Sequence, residues 1–274
     1  IPQDPLYDPA EPAGLDKYCY RYKTVNDGEE YKIRVNYEKT EPKEIASWGG
    51  GGISYGGTPP DYALQFDGVN DYVDCGNDSN LNFGTDSFTI EFWIKTEELT
   101  PWVIILNKGG LSSEDWYSIY ADESNRLIFH IKDGYNDSII FSTTPINDTQ
   151  WHHIVALRTP DNVSIYTDKI SEGTQDAVFV GGNIDNIDNL VIGGLPEWAT
   201  YFNGSIDDVR IYNRALSPAE VTEHYNGIFS DETGLAGLWH FDEGSGDTTA
   251  DDSGNGNNGS LAPACPDCPT WVAR

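Results

Sequence analysis

An all-β fold, two antiparallel sheets packed as a sandwich with one short helix and a small N-terminal β-hairpin, is what this chain of 274 residues predicts. Three observations carry it. From Tyr62 onward, short stretches alternate apolar and polar residues with turn signals every 8–12 residues. The turns hold Asp67-Gly68, Asp133-Gly134, Gly181-Gly182 and Asn203-Gly204, where glycine relieves the steric limit on a positive φ. Hydrophobic residues make up 38% and aromatics 12%, enough for a packed core.

The alternation predicts strands at 63–66, 72–75, 88–95, 103–108, 116–121, 126–132, 138–142, 152–158, 163–167, 189–193, 205–212 and 237–241. One helix is predicted. Ser217 caps it, Pro218 occupies its first position, Glu220 completes a capping box, and Gly227 lies just past an end near Tyr225. Residues 1–57 read as a separate unit. A proline-rich lead-in precedes two period-two segments, Lys17–Thr24 and Tyr31–Tyr37, joined by Asn26-Asp27-Gly28 as a hairpin, and a glycine-rich linker follows. Residues 58–274 then form the sandwich.

A formal charge of −29 sets nucleic acid and anionic membrane aside as partners, since each contact adds like-charge repulsion. The chain has no methionine, so its first residue is expected to follow a processing site or a cut, and it contains no apolar run long enough to span a bilayer. Sequons at Asn77, Asn136, Asn147, Asn162, Asn203 and Asn258 are candidate glycosylation sites, consistent with an exported chain or with plain surface turns. Cys265 and Cys268 form a lone CxxC, which in an exported chain reads as a local disulfide rather than a zinc site. Cys75 either bridges to Cys19 or serves as a small buried hydrophobe.

Five segments, taken in order, resemble the laminin-G-like, concanavalin A-like jelly-roll modules: Ala63–Val73, Phe88–Lys95, Trp151–Ala156, Phe202–Ser217, and Leu238–Gly246 followed by Asp252–Gly256. The resemblance covers about residues 61–272 and implies an extracellular, non-catalytic, calcium-dependent module. One departure stands out. The Trp239-His240-Phe241-Asp242-Glu243-Gly244 segment commonly leads into the Phe-Asp-Gly strand in such modules, whereas here it comes last. Either the terminal strands close the sandwich in a permuted order, or a second repeat begins there. Within residues 1–57, Pro2–Pro5, Tyr18–Tyr22 and Glu30–Val35 resemble the C-terminal β-region of type IV pilin-like proteins, which implies a filament-borne display or a filament subunit.

Ca²⁺ favours six to eight oxygens. Asp67, Asn70 and Asp71 cluster around one turn, and the resemblance places Asp207 and Asp208 on the neighbouring strand, so these five are the candidate ligands. The alternative is that Asp67 caps the turn through backbone N–H groups. Asp251, Asp252, Asn255 and Asn257 form a second oxygen-rich loop, read as a plain turn. Sandwich glycosidases need paired carboxylates across a cleft, and their Glu-x-Asp-x-x-Glu strand is missing. Glu91 stands by itself between Ile90 and Phe92, Glu97-Glu98 falls in a loop, and His152-His153 lie on a strand that should bury one ring and expose the other. The reading is therefore not an enzyme. Trp93, Trp151 and Trp239 read as core. Trp198, Tyr201, Trp102 and Trp116, at strand ends and loops, are the candidate ligand-binding aromatics, with Trp198 as a core lid the alternative. Together these features predict a surface adhesion module that recognises a glycan or a surface protein with bound Ca²⁺. A self-assembling filament subunit is the second reading and a polysaccharide-active enzyme the third.

Overall fold

The computed structural model describes residues 61–110, 113–134, 136–176 and 182–274. The pilin-like segment, its hairpin and Cys19 lie outside the described residues.

Among the described residues, eighteen strands follow in chain order. The first seven are β1 (Tyr62–Asp67), β2 (Tyr72–Asp74), β3 (Phe88–Lys95), β4 (Ile104–Lys108), β5 (Asp115–Ala121), β6 (Leu127–Asp133) and β7 (Asn136–Phe141). Then come β8 (His152–Arg158), β9 (Asn162–Thr167), β10 (Ile170–Asp176), β11 (Leu190–Ile192), β12 (Gly194–Leu195), β13 (Thr200–Tyr201) and β14 (Asn203–Tyr212). After helix α1 (Pro218–Tyr225) the chain ends with β15 (Leu235–Trp239), β16 (Thr248–Thr249), β17 (Gly259–Ala262) and β18 (Thr270–Ala273).

Two eight-stranded antiparallel sheets result. The first runs β10-β9-β8-β3-β14-β1-β18, with β15 also on β14; the second runs β16-β17-β2-β11-β4-β5-β6-β7. The predicted two-sheet sandwich is therefore the observed fold. Of the two readings offered for the late Trp-x-Phe-Asp-Glu-Gly segment, the permuted closure holds. Strand β15 pairs with β14, β17 with β2, and β18 with β1, so the last forty residues complete both sheets rather than open a repeat.

Alternation builds the core. Phe88, Ile90, Phe92 and Ile94 of β3 face Tyr117, Ile119, Phe129 and Ile131 of the other sheet, all buried. The opposite parity of β3 turns Trp93 outward. Trp93 and Trp151 are half-buried on the outer face of the first sheet, each about 5 Å from the Arg274 guanidinium, so only Trp239 of the three expected core tryptophans is core. Helix α1 begins as predicted: Ser217 accepts from the Glu220 backbone N–H, and the Glu220 carboxylate accepts from the Ser217 N–H at 2.8 Å. Val221 of the helix and Leu216 just ahead of it cover that outer face, against Val155 and Tyr212.

This cover overturns one expectation about β8. Both His152 and His153 are buried, not one of the two, because the outward ring lies beneath the helix. Cys265 and Cys268 are disulfide-bonded, while Cys75 is a free thiol buried in the core, where burial raises its pKa well above the usual thiol range. Cys75 thus sits where a small buried hydrophobe would, and the alternative bridge to Cys19 falls outside the described residues.

Candidate functional site

The outer face of the second sheet collects the exposed aromatics. On β5, Tyr117, Ile119 and Ala121 point into the core, so Trp116, Ser118 and Tyr120 point out. Register then extends this into rows. Ile104, Tyr120, Ile128 and Phe141 lie side by side across four strands. A parallel row holds Asp74, Val191, Asn107, Ser118, His130 and Ile139.

A small apolar cluster of Ile104, Val191 and Leu195, flanked by Tyr72 and Tyr120, floors the face. Trp102 stands over it, 6.2 Å from Tyr120 and 50% exposed. Trp116 meets His130 edge-on at 4.3 Å. At the other end, Tyr72 has its phenol pKa raised by burial and by the nearby Asp74, Tyr201 and Glu197, which places the β12–β13 hairpin beside it. Trp198, next to Glu197 in a 3-10 turn, is 48% exposed there. Of the four aromatics named from sequence, Trp102 and Trp116 thus lie on this face, Tyr201 lies near Tyr72 at its end, and Trp198 is half-exposed on the adjoining hairpin turn. Trp198 is not a core lid.

One polar relay orients the centre. His130 Nε2 lies 2.8 Å from Asp137 Oδ1, and His130 Nδ1 lies 3.0 Å from Tyr120 Oη. A carboxylate only accepts, so Nε2 carries the proton and Nδ1 of the neutral ring accepts from the Tyr120 hydroxyl. Burial lowers the His130 pKa below 6.5, against the opposing pull of Asp137, which favours that neutral form. With its proton committed to His130, Tyr120 Oη turns its lone pairs to an incoming hydroxyl donor. Its own pKa is pushed up to about 12, chiefly by burial, so it stays a phenol.

The five residues named as calcium ligands do not meet. Asp67 Oδ1 accepts from the Val69 N–H and Asp71 Oδ2 from the Asp67 N–H, both at 2.8 Å, so this pair caps the turn. Burial pushes the Asp71 carboxyl up to about 6. Asn70, half-buried, sits in the same turn. The residue opposite Asp67 on β14 is Asn203, four positions before Asp207. At ~3.4 Å per residue that separation is on the order of 13 Å, too far for a shared ion.

A bulge on β14 separates them further in role. Two positions of β3, Glu91 and Trp93, face Arg210 and Asp207, and Asp208 takes φ 49° in between. Asp208 accepts from His240 Nδ1 at 2.7 Å and pairs with Arg210 and Arg274; burial opposes its charge, but these cations hold its carboxyl below the ordinary range. Asp207 is fully buried against Arg274, and burial together with the Asp208 charge pushes its carboxyl well up. This donor set does not fit Ca²⁺, and among the described residues no group of three or more His, Cys, Asp or Glu is placed to hold a metal. In the second oxygen-rich loop, Asp251 accepts from the N–H groups of Leu238, Ser253 and Asn257, which is turn capping.

Glu91 is the residue sequence reasoning misplaced. Far from standing by itself, it accepts from His224 Nδ1 at 3.0 Å and lies 3.5 Å from His153 Nε2. All three are at most 2% exposed, so no substrate reaches them and the cluster fastens helix α1 to β3 and β8. His224 is 133 positions away in the chain, and only the closed fold reveals the pairing. All six sequon asparagines are exposed or half-buried; Asn77 and Asn136 already donate through their side chains, to Ile187 O and Asp133 Oδ1.

The profile described as the concanavalin A-like lectin/glucanases superfamily matches residues 67–222. Among curated proteins, the chain is 27% identical over 167 residues to the non-toxic nonhemagglutinin of Paraclostridium bifermentans, covering 60% of this chain and 14% of that protein. It is 30% identical over 119 residues to the mouse basement membrane-specific heparan sulfate proteoglycan core protein, covering 42% of this chain and 3% of that one. A solved Bacteroides ovatus structure, described provisionally as a carbohydrate binding protein, matches with a TM-score of 0.59 and 18% identity over 79% of this chain and 60% of its own, a likeness of fold. The chain spans less than a quarter of the length of these curated relatives.

Proposed function

The chain belongs to the concanavalin A-like lectin/glucanase superfamily, and from that membership we propose that it is a non-catalytic, extracellular recognition module that binds glycans across the outer face of its second sheet. The observation that carries this reading is the aromatic face itself, with Trp102 half-exposed beside an oriented Tyr120 hydroxyl and Trp198 half-exposed on the adjoining hairpin turn. Indole and phenol rings offer flat apolar surface to the C–H face of a pyranose, and a fixed hydroxyl acceptor selects one of its hydroxyls. The provisional carbohydrate-binding description of the Bacteroides ovatus protein supports the ligand class, and the matrix proteoglycan relative supports the extracellular setting. The one histidine–glutamate cluster among the described residues lies buried under a helix, which supports binding rather than cleavage.

A glycan array tests this. The chain is expected to bind a subset of oligosaccharides, and Trp102→Ala or Trp198→Ala each to weaken binding by about 5–30-fold, the equivalent of ~1–2 kcal/mol for one stacked ring. Melting temperature should stay at the wild-type value, since both rings are half-exposed. Protonating His130 reverses the Tyr120 hydrogen bond, so affinity should fall as pH drops below 6.5 through the lowered His130 pKa. Binding indifferent to both tryptophans, or no binding to any glycan, would rule the reading out.

A further inference from the structure

A second recess, sharing no residue with the aromatic face, opens between the segment before β3 and the start of β15. Asn80, Asn82, Asp86, Asn213 and Asn255 rim a cavity of about 320 Å³. Phe83, Leu235 and Ala236 supply its apolar surface. The polar lining is thus four amides and one carboxylate, with no lysine, arginine or histidine.

Its walls are fixed before any ligand arrives. On one side the buried Arg158 guanidinium donates to the carbonyls of Gly84 and Asp86, at 2.8 and 3.0 Å, locking the loop that carries Phe83 and Asp86. On the other side buried Asn257 donates to Ala236 O at 3.0 Å and to Asn80 Oδ1 at 3.2 Å. Asn255 donates to the carbonyls of Leu235 and Ala236 at 3.0 and 3.1 Å. These bonds occupy the inward half of each group. Among the described residues, the Asn82 Nδ2 amine, the Asn213 amide and the Asp86 carboxylate carry no hydrogen bond, and Asn255 keeps its Oδ1.

We propose that this recess is a binding site for one neutral sugar ring. Each sugar hydroxyl both donates and accepts, and adjacent hydroxyls match an amide beside a carboxylate; the apolar patch takes the C–H face. The cavity sits at the small end of the range for ligand pockets, room for a single ring rather than a chain. The bare Asp86 carboxylate, with no cation in the lining, repels sulfated, sialylated or uronic sugars. Pre-fixed walls remove the ordering cost that weakens most polyol binding.

The test is side-chain amide NMR of the full chain titrated with neutral hexoses and N-acetylhexosamines, and separately with glucuronate and sialic acid. Neutral sugars should shift the Asn82, Asn213 and Asn255 amide signals and saturate in the millimolar range. Asn82→Ala and Asp86→Asn, each confirmed folded by an unchanged melting curve, should each weaken that effect about tenfold. Trp102→Ala should leave it within a factor of about two, which separates this site from the aromatic face. No shift of these amides with any neutral sugar, a stronger response to the acidic sugars, or survival of the effect in both pocket variants would each overturn the proposal.

Discussion

Glu91→Ala is expected to cost about 3–5 kcal/mol of folding stability, because it strips the carboxylate from two buried imidazoles and leaves a void beneath helix α1. His224 Nδ1 lies 3.0 Å from the carboxylate and His153 Nε2 3.5 Å from it, so the acid is clasped between two rings. Burial alone would raise the Glu91 pKa, but the hydrogen bonds from His153 and His224 outweigh it and hold the carboxyl at about 2, against an ordinary 4.5. The folded pKa being the lower one, the stabilisation is complete above 4.5 and is lost as pH falls from 4.5 towards 2. That shift corresponds to about 3 kcal/mol. Urea denaturation of wild type and variant at neutral pH and near pH 3 checks both points. The gap between the two proteins should be largest at neutral pH and should narrow in acid. A loss under about 1 kcal/mol at neutral pH would show that the carboxylate contributes no more than an exposed pair.

What the sequence disclosed follows from how local each signal is. Period-two alternation exposed β3, β5 and β8, because one face of each packs into a single core. The capping box around Ser217 and Glu220 is contained in four residues and formed as read. Strands β10, β17 and β18 were not legible. Ile170–Asp176 is polar along an edge, and Gly259–Ala262 and Thr270–Ala273 are too short to show a period, so only their partners β9, β2 and β1 define them. The second layer of burial was equally hidden. Helix α1 turns the outer face of β3 and β8 into an interior, and nothing within Glu91-Phe92-Trp93 or His152-His153 announces a helix arriving from position 218. Four aromatics of the candidate face were found by their place at strand ends. Tyr120 and His130, which organise that face, read as ordinary strand residues until register set them diagonally across β5 and β6, within hydrogen-bond reach. The separation of the five expected ligands has the same origin: a one-residue bulge and the register of β14 against β1 decide where Asp207 and Asp208 lie, and neither is written in the Asp-Asp pair itself.

Gly193→Ala should be the most damaging small substitution at the border between core and face. Gly193 has φ 84° and lies where the chain leaves β11 for the β12–β13 hairpin that carries Trp198 and Tyr201. A Cβ there overlaps Cε1 and Cδ1 of Phe66, a fully buried ring whose centroid is 6.2 Å from that of Phe202. Backbone relief is blocked on both sides. The Gly193 N–H donates to Ile105 O at 2.7 Å, and its carbonyl accepts from the Phe202 N–H at 2.8 Å, tying it to both neighbours of the hairpin. A left-handed backbone with a side chain costs about 1–2 kcal/mol, and overpacking a close-fitted core about 1–3 kcal/mol more. Gly76→Ala separates the two contributions. Gly76 has φ 70° but open space around a Cβ, so its variant should lose only the conformational part. Thermal melting should therefore rank wild type above Gly76→Ala, and Gly76→Ala well above Gly193→Ala. Glycan affinity should fall in Gly193→Ala and hold in Gly76→Ala, because only the former pushes the hairpin off Tyr72. Equal melting of the two variants would mean that Phe66 has room to yield, and that the core does not set the position of the aromatic face.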